Sequence, residues 1–150
     1  MDFTGKTALV TGAGGRLGRE VCVRCARAGT RVGAVDLSQE AAEATAAAAR
    51  AAGGQAAGLR AGVADPEQVE AAVAGCEQAL GPVDILINAA GIFPNTPLLE
   101  MDLVEWDRVF GMNVRGTRLC CRAVAARMVA RGAGGAPDRS HGWCRPCGNH

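Results

Sequence analysis

Apolar positions along the chain alternate between two spacings. Thr7-Ala8-Leu9-Val10 is a short apolar run, as a strand covered on both faces requires. Glycines follow, and Arg16 to Ala28 reads as a helix. Arg31 to Val35 is a second apolar strand, ended by Asp36. Ser38 is placed to cap an alanine-rich helix from Gln39 to Ala52, with Glu40 and Glu43 in its first turns and Gly53-Gly54 at its end. Gln55 to Val63 reads as a third strand, weakened by its alanines and glycines. Asp65-Pro66-Glu67 opens a third helix with proline at its first position, and Val69, Val73 and Cys76 form its apolar stripe. Gly81-Pro82 breaks that helix, and Val83 to Asn88 is an almost wholly apolar fourth strand. After a loop with two prolines, one long helix is expected from Leu103 to Arg131, carrying Trp106, Val109, Phe110, Val114, Val124 and Met128. Strand and helix in alternation predict an α/β fold with right-handed crossovers and a doubly wound parallel sheet. The expected strand order is 3-2-1-4, with a ligand crevice at the carboxyl ends of strands one and four.

The first strand-to-helix turn, Thr11-Gly12-Ala13-Gly14-Gly15-Arg16-Leu17-Gly18, carries the candidate chemistry. Glycines let backbone turn tightly and approach a ligand, and the amides and dipole of the next helix then face a pyrophosphate. Asp36 follows at the distance that suits the adenosine ribose hydroxyls of NAD. It would repel a 2′-phosphate, although Arg16 offsets part of that and leaves NADP open. Plainer readings stand beside these. Such turns carry glycine for packing alone, and Asp36 can be a turn residue ahead of the Ser38 helix.

Length and charge narrow the class. The 150 residues suit a single domain, and a net charge of +1 gives no general attraction to nucleic acid or membrane. No apolar run is long enough to span a bilayer, and the first strand starts a few residues after Met1, so the expected location is cytoplasmic. Of seven cysteines, Cys22, Cys25, Cys76, Cys120 and Cys121 fall in expected helices, where they read as small buried hydrophobes. The C-x-x-C of Cys22 and Cys25 lies inside a helix, which speaks against a redox motif.

With Asn88-Ala89-Ala90-Gly91 and Asn113-Val114-Arg115-Gly116 added, the chain resembles the short-chain dehydrogenase/reductase family from about Met1 to Gly135. Thr11-Gly12 through Gly18 looks like the family's glycine turn, Asp36 like its NAD-selecting acid, and the two asparagine segments like its N-N-A-G and N-V-x-G. The resemblance implies a Rossmann-like fold over residues 1–135 and hydride transfer between a nicotinamide dinucleotide and a hydroxyl or carbonyl small-molecule substrate. It implies cofactor contacts at Gly12, Gly15, Arg16, Leu17, Gly18, Asp36, Val63, Asn88, Ala90 and Gly91. Asn113 would be the asparagine of the family's Asn-Ser-Tyr-Lys tetrad, and the intact relatives would be homo-oligomers. Arg16, Gly62 and Ala89 depart from the family pattern. Asn88 and Asn113 can equally be buried amides tying backbone together. The tetrad's remainder is not found. The chain has no tyrosine, its single lysine is Lys6, and Ser140 lies near the family serine's place without a strand before it. This chain is therefore expected to be inactive by itself.

Residues 136–150 show neither strand nor helix periodicity. Pro137-Asp138-Arg139 can be encoded CCG GAT CGT, which one base later reads Arg-Ile-Val, the strand opening the family would have. A frameshift near Gly135 follows as a hypothesis. Without the family's later strands, Val83 to Asn88 would be an unpaired edge prone to association. Two other readings compete with an oxidoreductase fragment. One is a catalytically dead module that binds NAD or another subunit. The other is a zinc-binding tail through His141, Cys144, Cys147 and His150, although its inner loop is short for a zinc site.

Overall fold

The computed structural model describes residues 3–132. Four parallel strands, β1 (Thr7–Thr11), β2 (Arg31–Asp36), β3 (Ala56–Arg60) and β4 (Ile85–Asn88), form one sheet in the order β3-β2-β1-β4. The expected order and class are borne out. Thr11 lies level with Val35 of β2 and Asn88 of β4, so the carboxyl ends of three strands open at one edge. Helices α1 (Arg16–Arg27) and α2 (Gln39–Ala51) cover one face. Beneath them lies a core of small residues, among them Val10, Ala13, Cys22, Ala26, Ala46 and Ala49. On the other face α3 (Pro66–Leu80) and α5 (Thr117–Ala130) enclose Leu9, Val73, Cys76, Val83, Cys120 and Val124. Each large apolar side chain removed from water there contributes roughly 1.5–3 kcal/mol.

Local signals set most boundaries. The Ser38 hydroxyl accepts from the Ala41 amide at 3.2 Å. Asp65 accepts from the Glu67 and Gln68 amides at 2.9 and 3.1 Å, which holds its carboxyl below the usual range, mainly through Gln68. Gly81, at φ +88°, stops α3.

Four expectations need correction. β3 ends at Arg60 rather than Val63, because Gly62 donates its amide to the Gln68 side chain instead of extending the ladder. β4 begins at Ile85 rather than Val83. The Val83 amide donates to Glu77 at 3.3 Å and its carbonyl accepts from the Arg131 guanidinium, so two side chains replace a neighbouring strand there. With β1 on one edge only, Ile85, Leu86 and Ile87 are half-buried and Asn88 is exposed.

The single long helix is in fact α4 (Leu103–Phe110), a π-helical segment (Gly111–Gly116) and α5. Glycines at both ends of the segment lower the cost of leaving α geometry. α4 buries none of its residues, and Trp106 and Phe110 stack on each other 4.6 Å apart, 43% and 45% exposed. Cys121, expected to be buried, is exposed.

No helix among the described residues is long and apolar enough to cross a membrane. The tail 136–150, with the frameshift reading, Ser140 and the four suggested zinc ligands, lies outside the described residues.

Candidate functional site

The crevice at the carboxyl ends of the strands has a volume of about 200 Å³ and is lined by Gly12, Asp36, Val63, Ala90 and Gly91, together with Leu37, Ala61, Gly62, Ile92 and Met112. The turn after β1 reaches it through Gly12. Gly12 sits at φ +65°, and a Cβ there would lie 2.7 Å from Ala90 Cα, so only glycine lets β1 pass this close to the segment after β4. The Ala90 amide donates to the Thr11 hydroxyl at 3.3 Å and fixes that approach.

Gly15 is the N-cap of α1, and no side chain caps the helix. Its own amide donates to Gly12 O at 3.1 Å, and Arg19 is the first residue to bond back, to Gly15 O at 2.9 Å. The first-turn amides of Arg16, Leu17 and Gly18 are therefore left for a ligand by helix geometry. Arg16 and Leu17 are exposed, whereas Gly18 is buried, where a Cβ would lie 2.2 Å from Gly12 O. α1 carries no acidic residue in its first turn, so no side chain of the helix's own first turn repels a bound anion.

Asp36 closes the other side. Its Oδ2 accepts from the Gly14 amide at 2.9 Å and its Oδ1 from the Ser38 amide at 3.1 Å. The turn-residue reading and the site reading of Asp36 thus hold together in one geometry. A Cβ on Gly14 would fall 2.9 Å from that carboxylate and 2.6 Å from Ala41 Cβ. Gly14 is the turn residue the sequence reasoning passed over, and only its place among glycines signalled it. Leu37 and Met112 were also missed, having no pattern beyond being apolar.

The remaining candidates lie elsewhere. Asn88 ends β4 away from the crevice lining, its Nδ2 donating to Cys121 Sγ at 3.6 Å. Asn113, in the π-helical segment, clamps the backbone after β4. Its Oδ1 accepts from the Ile92 amide at 2.9 Å and its Nδ2 donates to the Ile92 carbonyl at 3.0 Å. The Thr117 hydroxyl donates to Asn113 O at 2.7 Å. Lys6 precedes β1 at the opposite end of the sheet. No group of three acidic, histidine or cysteine side chains among the described residues could hold a metal ion.

Chemically, the arrangement suits an anion at the start of α1 flanked by a hydrogen-bonding diol at Asp36. Comparison with known proteins shows the family. The short chain dehydrogenase family profile matches residues 6–136, and the chain belongs to that family. It is 41% identical over 130 residues to a D-threitol dehydrogenase of Mycolicibacterium smegmatis, covering 87% of this chain and 50% of the relative. It is 38% identical over 135 residues to a sorbitol dehydrogenase of Cereibacter sphaeroides, covering 90% and 52%. A short-chain type dehydrogenase/reductase from Mycobacterium marinum superposes with a TM-score of 0.85 at 35% identity, covering 89% of this chain and 54% of that one. The chain thus spans about half the length of the curated relatives it matches. The family uses nicotinamide dinucleotides.

Proposed function

We propose that this chain forms the NAD-binding half of an oxidoreductase. The observation that carries the reading is the pairing of an uncapped α1 N-terminus with an Asp36 carboxylate held across the crevice by the Gly14 and Ser38 amides. The amides of Arg16, Leu17 and Gly18 hold the diphosphate, while Gly12 and Gly15 let it approach. Asp36 accepts from the adenosine ribose hydroxyls and disfavours a 2′-phosphate, so NAD is preferred over NADP. Val63, Ala90 and Gly91 wall the crevice. Asn88 contributes by closing β4 rather than by lining the crevice.

The bound dinucleotide supplies a carbon that accepts or donates hydride. The substrate of the complete protein is a hydroxyl or carbonyl compound, and the D-threitol and sorbitol relatives favour a polyol. Asn113 positions the crevice wall through Ile92. With no tyrosine and only Lys6, at the far end of the sheet, this chain offers no evident acid/base at the crevice and binds without turnover. The second reading is a non-catalytic dinucleotide-binding module.

Fluorescence titration tests both. NADH should saturate the purified chain, and Asp36→Ala should weaken NADH about tenfold, equivalent to about 1.4 kcal/mol, without weakening NADPH. Absence of saturable NADH binding would overturn the proposal. Alcohol oxidation by the chain alone would overturn the claim that it binds without turnover.

A further inference from the structure

We infer that Thr45 of α2 sets the choice between the two dinucleotides from outside the crevice, by holding one peptide plane of the glycine turn. The inference rests on the dinucleotide-binding reading above. Thr45 is 1% exposed, and its hydroxyl donates to the Ala13 carbonyl at 2.9 Å. That carbonyl shares a planar trans peptide with the Gly14 amide, so the two point in opposite directions. The Gly14 amide is the one that donates to Asp36 Oδ2 at 2.9 Å. One rigid unit is thus gripped at its carbonyl end by Thr45 and at its amide end by the acid.

Little else fixes that plane. Ala13 is held through its own amide, which donates to Val35 O at 3.0 Å, on the peptide before. Gly14 has no Cβ to resist rotation. Thr45→Val keeps the shape of the side chain and removes the hydroxyl. A buried carbonyl without a partner is costly, and turning toward water relieves it. The Gly14 amide turns with it and leaves Asp36. The carboxylate then keeps only the Ser38 amide and swings more freely, so it grips a ribose diol less well and repels a 2′-phosphate less. Thr45 is a positioning residue, acting through Gly14 and Asp36.

The test measures Kd for NADH and NADPH on wild type, Thr45→Val and Thr45→Ser, with amide exchange at Gly14 followed in the protein alone. Thr45→Val should weaken NADH about tenfold, the scale of one hydrogen bond, without weakening NADPH, so the preference falls by at least the same factor. Thr45→Ser should restore it. Gly14 exchange should be faster in Thr45→Val only. A merely structural residue would weaken both dinucleotides equally, and that result, or a serine variant that behaves like valine, overturns the inference. If the wild type binds neither dinucleotide, the proposed function has failed. Gly14 exchange then decides the coupling, and an unchanged rate overturns it. Should Thr45→Val not fold, Thr45→Ala against Thr45→Ser makes the same comparison.

Discussion

Asn113 shows why a carboxamide is needed where a carboxylate would be nearly the same size. It meets both the amide and the carbonyl of Ile92, at 2.9 and 3.0 Å, and only a group with one acceptor and one donor end can do so. A Cβ on Gly91 would lie 3.2 Å from the same Oδ1, so the clamp sits directly on the crevice wall. Asn113→Asp keeps the first bond and sets an oxygen against the Ile92 carbonyl in place of the second. It should cost about 1–3 kcal/mol. The loss should grow as pH rises through about 4, where an aspartate ionises. Urea unfolding at two pH values measures the cost, and faster exchange of the Ile92 amide locates it. An unchanged Ile92 amide would show that the side chain does not hold this loop.

At the scale of elements, β3 and β4 are the two edge strands of the sheet, and β4 (Ile85–Asn88) is the more apolar of them. The Asp84 amide donates to Thr7 O, so by strand alternation Leu86 also faces β1 while Val83, Ile85 and Ile87 face outward. Val83 is closed off by Glu77 and Arg131, which themselves pair at 3.1 Å. Ile85 and Ile87 stay open, on apolar residues, and an open apolar edge templates association. The chain should therefore associate as its concentration rises. Ile85→Lys should suppress this, at a stability cost of about 1 kcal/mol or less. Light scattering with a melting curve checks both, and a wild type that stays monomeric at all concentrations contradicts the edge argument. The Val83 closure explains why the strand looked two residues longer from its apolar run alone. The same holds for the helix after Leu103. Its π-helical segment is fastened by Asn113 to Ile92, 21 residues away, and a contact that distant leaves no periodic trace. Ser38, Asp65 and Gly81 were legible because each acts on its own turn of helix. Gly12 and Asp36 were legible because their spacing follows the βαβ unit, whereas Leu37, Met112 and Thr45 reach the site only through packing and long-range bonds.

Both faces of the whole molecule hide thiols, and that gives its stability a distinctive alkaline limit. Burial pushes Cys22, under α1, up to about 12, and does the same to Cys76 under α3 and, to about 11, to Cys120 of α5. In the unfolded chain these groups titrate near 9. Below pH 9 both states hold the protons and stability is independent of pH. Above it the unfolded chain releases protons that the folded chain keeps, so stability falls as pH rises from 9 towards 11 or 12. Each thiol contributes at most about 1.4 kcal/mol per pH unit, and three together about 4. An ordinary domain has roughly 5–15 kcal/mol in total, so little remains by about pH 11. The composition leaves thiols as the groups that matter in that window, since the sequence has no tyrosine and a single lysine and arginine stays charged through it; Cys25, also raised by burial, adds to the same decline. Urea unfolding under reducing conditions should give constant stability from pH 7 to 8.5 and a steep decline beyond 9. Cys22→Ala should shallow the decline by about a third while leaving the neutral plateau flat. A decline that begins below pH 8, or a slope unaffected by that substitution, would show that some group other than the buried thiols sets the limit.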